Sequence, residues 1–590
     1  MCSILGYYKL SNDSKVDQSF VKKSLKLMRH RGPDGEKFLD CDENCGLGNQ
    51  RLKITDISVN VNQPINDKKN FLVFNGEIYN YLALKKKLKK KYKFKTNCDT
   101  EVLFQGLVKS KLSFLNNLNG MFSIAFYDKK NKELFLIRDR YGVKPLYYTI
   151  EDDTLYFASE LKPLFALKKS LKKNNRYYKN FLTDTVSDHD NQTPVNDIFQ
   201  VRPGHYLKLS KTKNIVEKKW YYFNDYYFNE HIFKSKKKTL LFFENLLIDS
   251  IKLRLKSDVP VCLTLSGGID SSVLYTLIRE KLKKKISVFF LKIDNPLLDE
   301  SKIVTRLLKK YKDKYHLVKI NKSNNLKNLI SNIRSLEFPI WDTSSVAYSE
   351  VYKKINIKKY KVVIEGHGSD EQLGGYPYLI NSGILSYFYK FKIKDSFKIL
   401  HVSNNSIINS SFSNFIFIFE QTIKSLLKKF IKKNEPFFFD EKIKASFNYK
   451  VLPIVLRTFD RLTMKYSIEN RCPFLDYRVV EFLRKLPMKY KINSLGSKAI
   501  LREVLKKYEN NFVYENSKKI GFTGDIVEFF RVNKKQIEKI IINSDFNFIK
   551  KKKYLNLLRK KFLNENKYVD LVKNLQVFIF DKIFDLKNKR

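Results

Sequence analysis

Position 2 is a cysteine beside the initiator methionine, and that placement allows a chemistry open to few residues. Once Met1 is removed, Cys2 carries a thiol and a free α-amine together. The amine titrates at about 8, close enough to neutrality to act as the base that activates its own side chain. A second chemistry is written into Leu265-Ser266-Gly267-Gly268-Ile269-Asp270-Ser271-Ser272. Glycines let backbone N–H groups approach a phosphate, serine hydroxyls add donors, and a helix N-terminus favours the negative charge. The run is not G-x-x-x-x-G-K-[ST], so it is not a P-loop of the kinase or GTPase type. Another glycine-rich run, Glu365-Gly366-His367-Gly368-Ser369-Asp370-Glu371-Gln372-Leu373-Gly374-Gly375-Tyr376, lies about a hundred residues downstream.

Elements must position these runs. The first ~210 residues carry short β-type stretches between turn signals, such as Leu72-Val73-Phe74 before Asn75-Gly76, Phe122 to Tyr127 and Leu134 to Ile137, which predicts a sheet-rich, layered domain. Taken alone, Asn75-Gly76 is a hairpin turn signal. Residues 175 to 200 are polar and predict a long loop, and 210 to 236 a linker. From Leu240 the pattern becomes helix (240–256), strand (261–265), glycine-rich turn, helix (271–284) and strand (286–293). That alternation predicts an α/β domain with a parallel sheet. A further strand, 361–365, runs into the second glycine-rich turn. Beyond about 380 the chain reads helical, and the Lys-rich tail after 530 reads as solvated helix.

Bulk properties narrow the classes. At 590 residues the chain exceeds one core, so two or more domains are expected, and a hydrophobic content of 43% is enough to build them. The most apolar stretch, Phe412 to Phe419, is too short to span a bilayer, and the N-terminus lacks a secretory pattern; a cytoplasmic protein with no membrane association is expected. Six cysteines (Cys2, Cys41, Cys45, Cys98, Cys262, Cys472) make no disulfide framework. Cys41 and Cys45 lack the second ligand pair that zinc needs. The net charge of +52 is spread along the chain in runs such as Lys85 to Lys91 and Lys550 to Lys553. It forms no patch within a recognisable module, so specific nucleic-acid binding is not expected.

The first half then assembles a set. Arg29-His30-Arg31-Gly32-Pro33-Asp34-Gly35, Arg51-Leu52 with Asp56, Gln63-Pro64, Asn75-Gly76-Glu77-Ile78-Tyr79-Asn80, Asp99-Thr100-Glu101 and the run Arg138 to Tyr148 resemble, in order, the class II glutamine amidotransferase domain of asparagine synthetases. Ser3 stands where that family more often has Gly. The resemblance implies an N-terminal-nucleophile αββα sandwich over residues 2–210, with Cys2 as nucleophile. It gives the Asn75 side chain and the Gly76 N–H as oxyanion donors. Arg51 would fork the carboxylate of glutamine, and Glu77 and Asp99 would take its α-ammonium, with Asn75 also lining the glutamine site.

The second half, 236–530, resembles the synthetase domain of the same family through the two glycine-rich runs, Asp460-Arg461, Ser467 to Asp476, Lys498 to Arg502 and Lys519-Ile520-Gly521-Phe522. There the resemblance implies ATP held by Leu265, Ser266, Gly267, Gly268, Asp270, Ser271, Phe290, Glu365 and Gly366. Asp270 and Asp370 would be magnesium ligands, hard carboxylates that hold Mg2+ jointly with phosphate oxygens, and Lys498 would neutralise the transferring phosphates. The substrates expected are glutamine, ATP and aspartate, the assembly a homodimer, and residues 531–590 a Lys-rich helical tail. One position departs: Ser and Glu are common in the family at Glu365 and His367. By its place in the loop His367 is counted with Cys2, Asn75, Gly76 and Lys498 among the expected catalytic residues, and two readings of it stay open, a hydrogen-bonded loop residue or a mark of another acceptor carboxylate, such as a sugar acid of a surface polysaccharide.

Overall fold

In the computed structural model the first domain is two antiparallel sheets face to face, each of six strands. The structure describes residues 2–57, 63–184, 188–210, 214–223, 228–293, 296, 299–320, 325–340, 343–390, 392–404, 438–514, 526–544, 546, 549–560 and 565–584. The expected Lys519 to Phe522 segment and the apolar 412–419 stretch lie outside the described residues. The strands are β1 (Cys2–Lys9), β2 (Gly35–Asp40), β3 (Cys45–Arg51), β4 (Ile65–Asn66), β5 (Asn70–Ile78) and β6 (Gly120–Asp128). They continue with β7 (Glu133–Arg138), β8 (Tyr147–Glu151), β9 (Thr154–Ala158), β10 (Ile198–Gln200), β11 (His205–Leu209) and β12 (Ile215–Lys219). One sheet has the order β10-β8-β9-β1-β3-β2, the other β12-β11-β7-β6-β5-β4.

Side chains alternate across a strand, and the cores obey that rule. Ile4 and Tyr8 of β1, Leu47 of β3, Phe71 and Val73 of β5 and Leu136 of β7 share the core between the sheets. Leu5 and Tyr7 face the opposite way, onto the helices Gln18–Leu25 and Leu161–Leu167. Leu72 and Phe74 pack on the helices Tyr81–Leu88 and Asp99–Ser110. Helix, sheet, sheet, helix is the αββα order that the sequence leads one to expect.

Three expectations are corrected. The polar 175–200 stretch is not a loop: it holds the helix Asn175–Asp184, whose Tyr177, Tyr178 and Phe181 are buried, and then β10. The polar residues between those aromatics hide the apolar face. The 210–236 segment is not plain linker, since β12 pairs with β11 and carries the sheet to Lys219. The tail is not solvated: Leu571, Val572, Leu575, Val577, Phe578 and Phe580 of the helix Glu565–Phe584 are at most 1% exposed. They pack in the same cluster as Tyr177, Tyr178 and Phe338. Most of the described lysines of the tail are exposed, although Lys573 is buried.

The second domain is built on a parallel sheet of β13 (Val261–Thr264), β14 (Ser287–Lys292), β15 (Tyr315–Lys319), β16 (Val362–Ile364) and β17 (Glu469–Arg471), in the order β15-β14-β13-β16-β17. Its strands are apolar on both faces because helices cover both: Leu263, Val288 and Ile364 enter one core, Cys262, Phe289 and Val363 another. The strand order reverses between β13 and β16. Ligands of such sheets bind outside the carboxyl ends of the strands at that switch point, where both glycine-rich runs emerge. β17 is absent from the sequence expectation because a three-residue strand leaves no period to detect.

Candidate active sites

Cys2 opens β1 directly opposite Arg51 of β3. Its position in the alternation is that of Ile4, and Asn75 has that of Phe71 and Val73, so both face the space between the sheets. The Cys2 backbone nitrogen, which loss of Met1 would turn into the α-amine, donates to Asn75 Oδ1 at 3.3 Å. Asn75 Nδ2 donates to Ser159 Oγ at 3.4 Å, and that oxygen accepts from Ile4 N at 3.0 Å. Asn75-Gly76 is thus no hairpin turn; it sits inside β5, paired with Ser123 and Phe122 of β6. Gly76 is required there because a Cβ would lie 2.0 Å from the Met121 carbonyl oxygen.

The residues expected to hold glutamine converge on the same end of the sheets. Arg51 is buried and donates through Nη2 to the Asp56 carbonyl. Glu77 accepts from Thr55 Oγ1 at 3.0 Å and lies 3.4 Å from Arg471 Nη2 of the second domain. Asp99 accepts from Ile78 N at 2.8 Å and from the Cys98 thiol at 3.2 Å. Burial, with Asp99 alongside, pushes the Glu77 carboxyl up to about 8, and burial also raises Asp99. Two buried acids held near protonation make a receptor for an ammonium group, which restores their charged forms.

At the switch point of the parallel sheet, Gly267 adopts φ +76, a left-handed conformation suited to glycine. Ser271 Oγ at the start of the helix Ile269–Glu280 accepts from Ser266 N at 3.1 Å, and Ser266 Oγ accepts from Gly268 N at 3.3 Å. The loop is therefore tied to its own helix and turned toward the second glycine-rich run, where a Cβ on Gly366 would meet Asp270 Cβ at 2.9 Å. Lys498, buried and itself left-handed at φ 57, bridges the two runs. Its Nζ pairs with Asp270 Oδ2 and lies 2.6 Å from Asp370 Oδ1. These carboxylates hold the ammonium charged well above its ordinary range despite burial. Gly375 leaves the room: a Cβ there would sit 1.7 Å from Asp370 Oδ1.

Asp270 Oδ1 is buried with no hydrogen-bond partner among the described residues, a hard oxygen left for a ligand. Two carboxylates plus a lysine fit a magnesium ion shared with phosphate oxygens; no closed cluster of three or more metal-ligating side chains occurs among the described residues. Two of the expected nucleotide residues, Leu265 and Phe290, are at most 1% exposed and pack in the core beneath the loop rather than on its surface. Glu365 ends β16 as a buried acceptor for Thr264 Oγ1 at 2.8 Å, Tyr352 OH at 3.0 Å, Asn470 Nδ2 at 2.6 Å and His367 Nε2 at 3.0 Å.

Between the sites lies a buried charged seam. Arg31, fully buried, reaches Glu160 Oε1 at 3.1 Å and Asp460 Oδ2 at 2.8 Å, and its Nε faces the Cys2 carbonyl at 3.5 Å. Lys144 pairs with Asp460 at 3.1 Å, Arg461 with Glu160 at 2.8 Å and with Glu337 at 3.3 Å. Beside the seam, Tyr79, Asn119, Gly120, Met121 and Arg140 of the first domain and Arg254, Cys472 and Leu475 of the second help line a cavity of about 20 Å³. That is room for one water-sized molecule. Sequence reasoning missed Ser159, Glu160, Thr264, Glu337 and Tyr352, single polar residues in apolar surroundings whose partners come from other elements.

The sequence matches known families and proteins along most of its length. The glutamine amidotransferase domain model matches residues 1–222 and the asparagine synthase model residues 243–579. Amidase chry2 of Gibberella zeae is 28% identical over 584 residues, covering 86% of each chain. Asparagine synthetase [glutamine-hydrolyzing] 1 of Bacillus subtilis is 27% identical, covering 88% of this chain and 87% of its own. A second Bacillus subtilis asparagine synthetase is 30% identical over 86% of this chain and 69% of its own.

Proposed function

The chain belongs to the asparagine synthase family, with a glutamine amidotransferase domain ahead of the synthase region, and on that premise we propose that it transfers the amide nitrogen of glutamine to aspartate. It is an ATP-dependent, glutamine-hydrolysing ligase. The observation that supports the coupling is the small cavity lined by residues of both domains. Ammonia is lost to protonation in bulk water, and a shielded route through that interface would keep it from solvent.

In the first site Cys2 attacks the glutamine amide, Asn75 and the Gly76 N–H steady the oxyanion, Arg51 forks the carboxylate, and Glu77 and Asp99 receive the α-ammonium. Asn75 must leave Ser159 to do so, so substrate binding switches that hydrogen bond. In the second site the Ser266–Ser271 loop cradles phosphate, and Lys498 swings its charge from Asp270 and Asp370 toward the pyrophosphate as the acid displaces it. A magnesium ion held by those two carboxylates together with phosphate oxygens would add charge neutralisation there. Ammonia then attacks the acyl-adenylate, giving the amide and AMP.

A second reading has its own observation. His367 stands on the second glycine-rich loop, hydrogen-bonded to the buried Glu365, and relatives named amidases are as similar as the asparagine synthetases. The same chemistry on a different carboxylate, such as a sugar acid, fits that pair. Purified full-length chain with glutamine, ATP and magnesium, supplied with aspartate or with glucuronate, decides between them. Pyrophosphate and AMP released only with aspartate support the first reading; release only with glucuronate replaces it.

A further inference from the structure

His367 and Glu365 form an acid–base pair to which neither half-site has yet assigned a proton transfer. The imidazole is 16% exposed and the carboxylate 2%, so the ring is the part a substrate can reach. One face of the ring stacks on Phe459 with centroids 3.7 Å apart, and Tyr348 flanks it at 6.4 Å. Glu365 already accepts from the Thr264 and Tyr352 hydroxyls and the Asn470 amide. Burial and Glu365 keep the Tyr352 phenol protonated, and hence a donor. A carboxylate so surrounded accepts, so His367 Nε2 carries the hydrogen of the 3.0 Å bond. The lone pair of the neutral ring is then on Nδ1, which has no partner among the described residues. Of the other charges on the two loops, Asp270 and Asp370 are tied to Lys498, and Glu371 accepts from the Tyr376 hydroxyl.

We propose that His367 is the general base of the amide-forming step and that Glu365 is its positioning residue. The inference rests on the reading above, that ammonia meets an acyl-adenylate in this site. The nitrogen lone pair forms the C–N bond while the carbonyl pair moves to oxygen. One N–H proton passes to Nδ1, the oxygen pair returns, and the bond to the AMP oxygen breaks with AMP leaving. The imidazolium so formed faces Glu365, which compensates its charge, as an acid behind a catalytic imidazole does generally.

The test separates the half-reactions in full-length enzyme, using whichever of aspartate and glucuronate supports pyrophosphate exchange into ATP. His367→Asn and His367→Ala are expected to keep glutaminase turnover at Cys2 near wild type, which reports a folded chain, and to lose far less of the exchange than of amide formation. Ammonia-dependent amide formation should fall on the order of 100-fold. Imidazole in the buffer should restore part of the rate to His367→Ala, and Glu365→Gln should lose about tenfold in amide formation alone. Equal loss of exchange and amide formation in His367→Asn, or no restoration of His367→Ala by imidazole, overturns the proposal. Wild-type enzyme that exchanges with neither acid refutes the underlying reading instead, and the inference with it.

Discussion

Glu77 connects a burial effect to a binding measurement. Without ligand its carboxyl titrates at about 8 rather than 4.5, raised first by burial and then by Asp99. Between those values the folded protein holds a proton that the unfolded chain has released, so ligand-free stability declines as pH rises through that window. An α-ammonium bound beside Glu77 favours its charged form and expels the proton. Glutamine binding to the Cys2→Ala protein should therefore release protons near pH 7 and tighten as pH rises from about 6 to 8. Calorimetry in two buffers of different ionisation enthalpy measures it; proton uptake would contradict the assignment of Glu77 to the ammonium. At Lys498 the packing is tighter still. A Gly375→Ala methyl collides with Asp370 Oδ1 and lies 2.5 Å from Lys498 Cε. Pyrophosphate release should drop at least 100-fold while glutaminase turnover stays near wild type, and a variant with normal ATP cleavage would remove Lys498 from the phosphate site.

Among the elements, the helix Leu452–Met464 joins the two chemistries. Phe459 lies under His367, while Asp460 and Arg461 enter the seam with Arg31, Lys144 and Glu160. Asp460→Asn leaves the buried Lys144 without its anion and Arg31 with Glu160 alone, and removing one partner of such a buried pair costs about 3–5 kcal/mol. Denaturant unfolding should show a loss of that size; a change below about 1 kcal/mol would mean that the seam tolerates its charges unpaired. The same helix shows what a sequence reveals. Both glycine-rich loops and the Cys2–Arg51–Asn75 set were legible because each needs particular residues at fixed spacing beside a strand. Asp460-Arg461 was visible as a motif without its partners, because Glu160 and Glu337 are fixed by packing between distant elements. Asn75-Gly76 misled as a turn because local preference speaks for a hairpin, whereas pairing with β6 holds it straight.

Over the whole molecule the charge of +52 conceals an interior held together by matched charges and aromatic packing. The helix Glu565–Phe584 packs Phe578 at 0% exposure against Phe546 and Tyr554 and shares a core with Tyr178 of the first domain. The tail thus clasps both domains, which composition alone could not disclose because lysine dominates its outer face. Phe578→Ala should destabilise by about 3–5 kcal/mol in a melting experiment; an unchanged transition would detach the tail from the core. No helix among the described residues is long and apolar enough to cross a membrane. The coupling of the two sites is the central claim, and one labelling experiment addresses it. With glutamine carrying heavy nitrogen in its amide, together with ATP, magnesium and aspartate, the wild type should yield labelled amide, AMP and pyrophosphate in equal amounts. Cys2→Ala should incorporate label only from heavy ammonium. AMP formed without an acceptor acid, or labelled amide made from glutamine by Cys2→Ala, would contradict it.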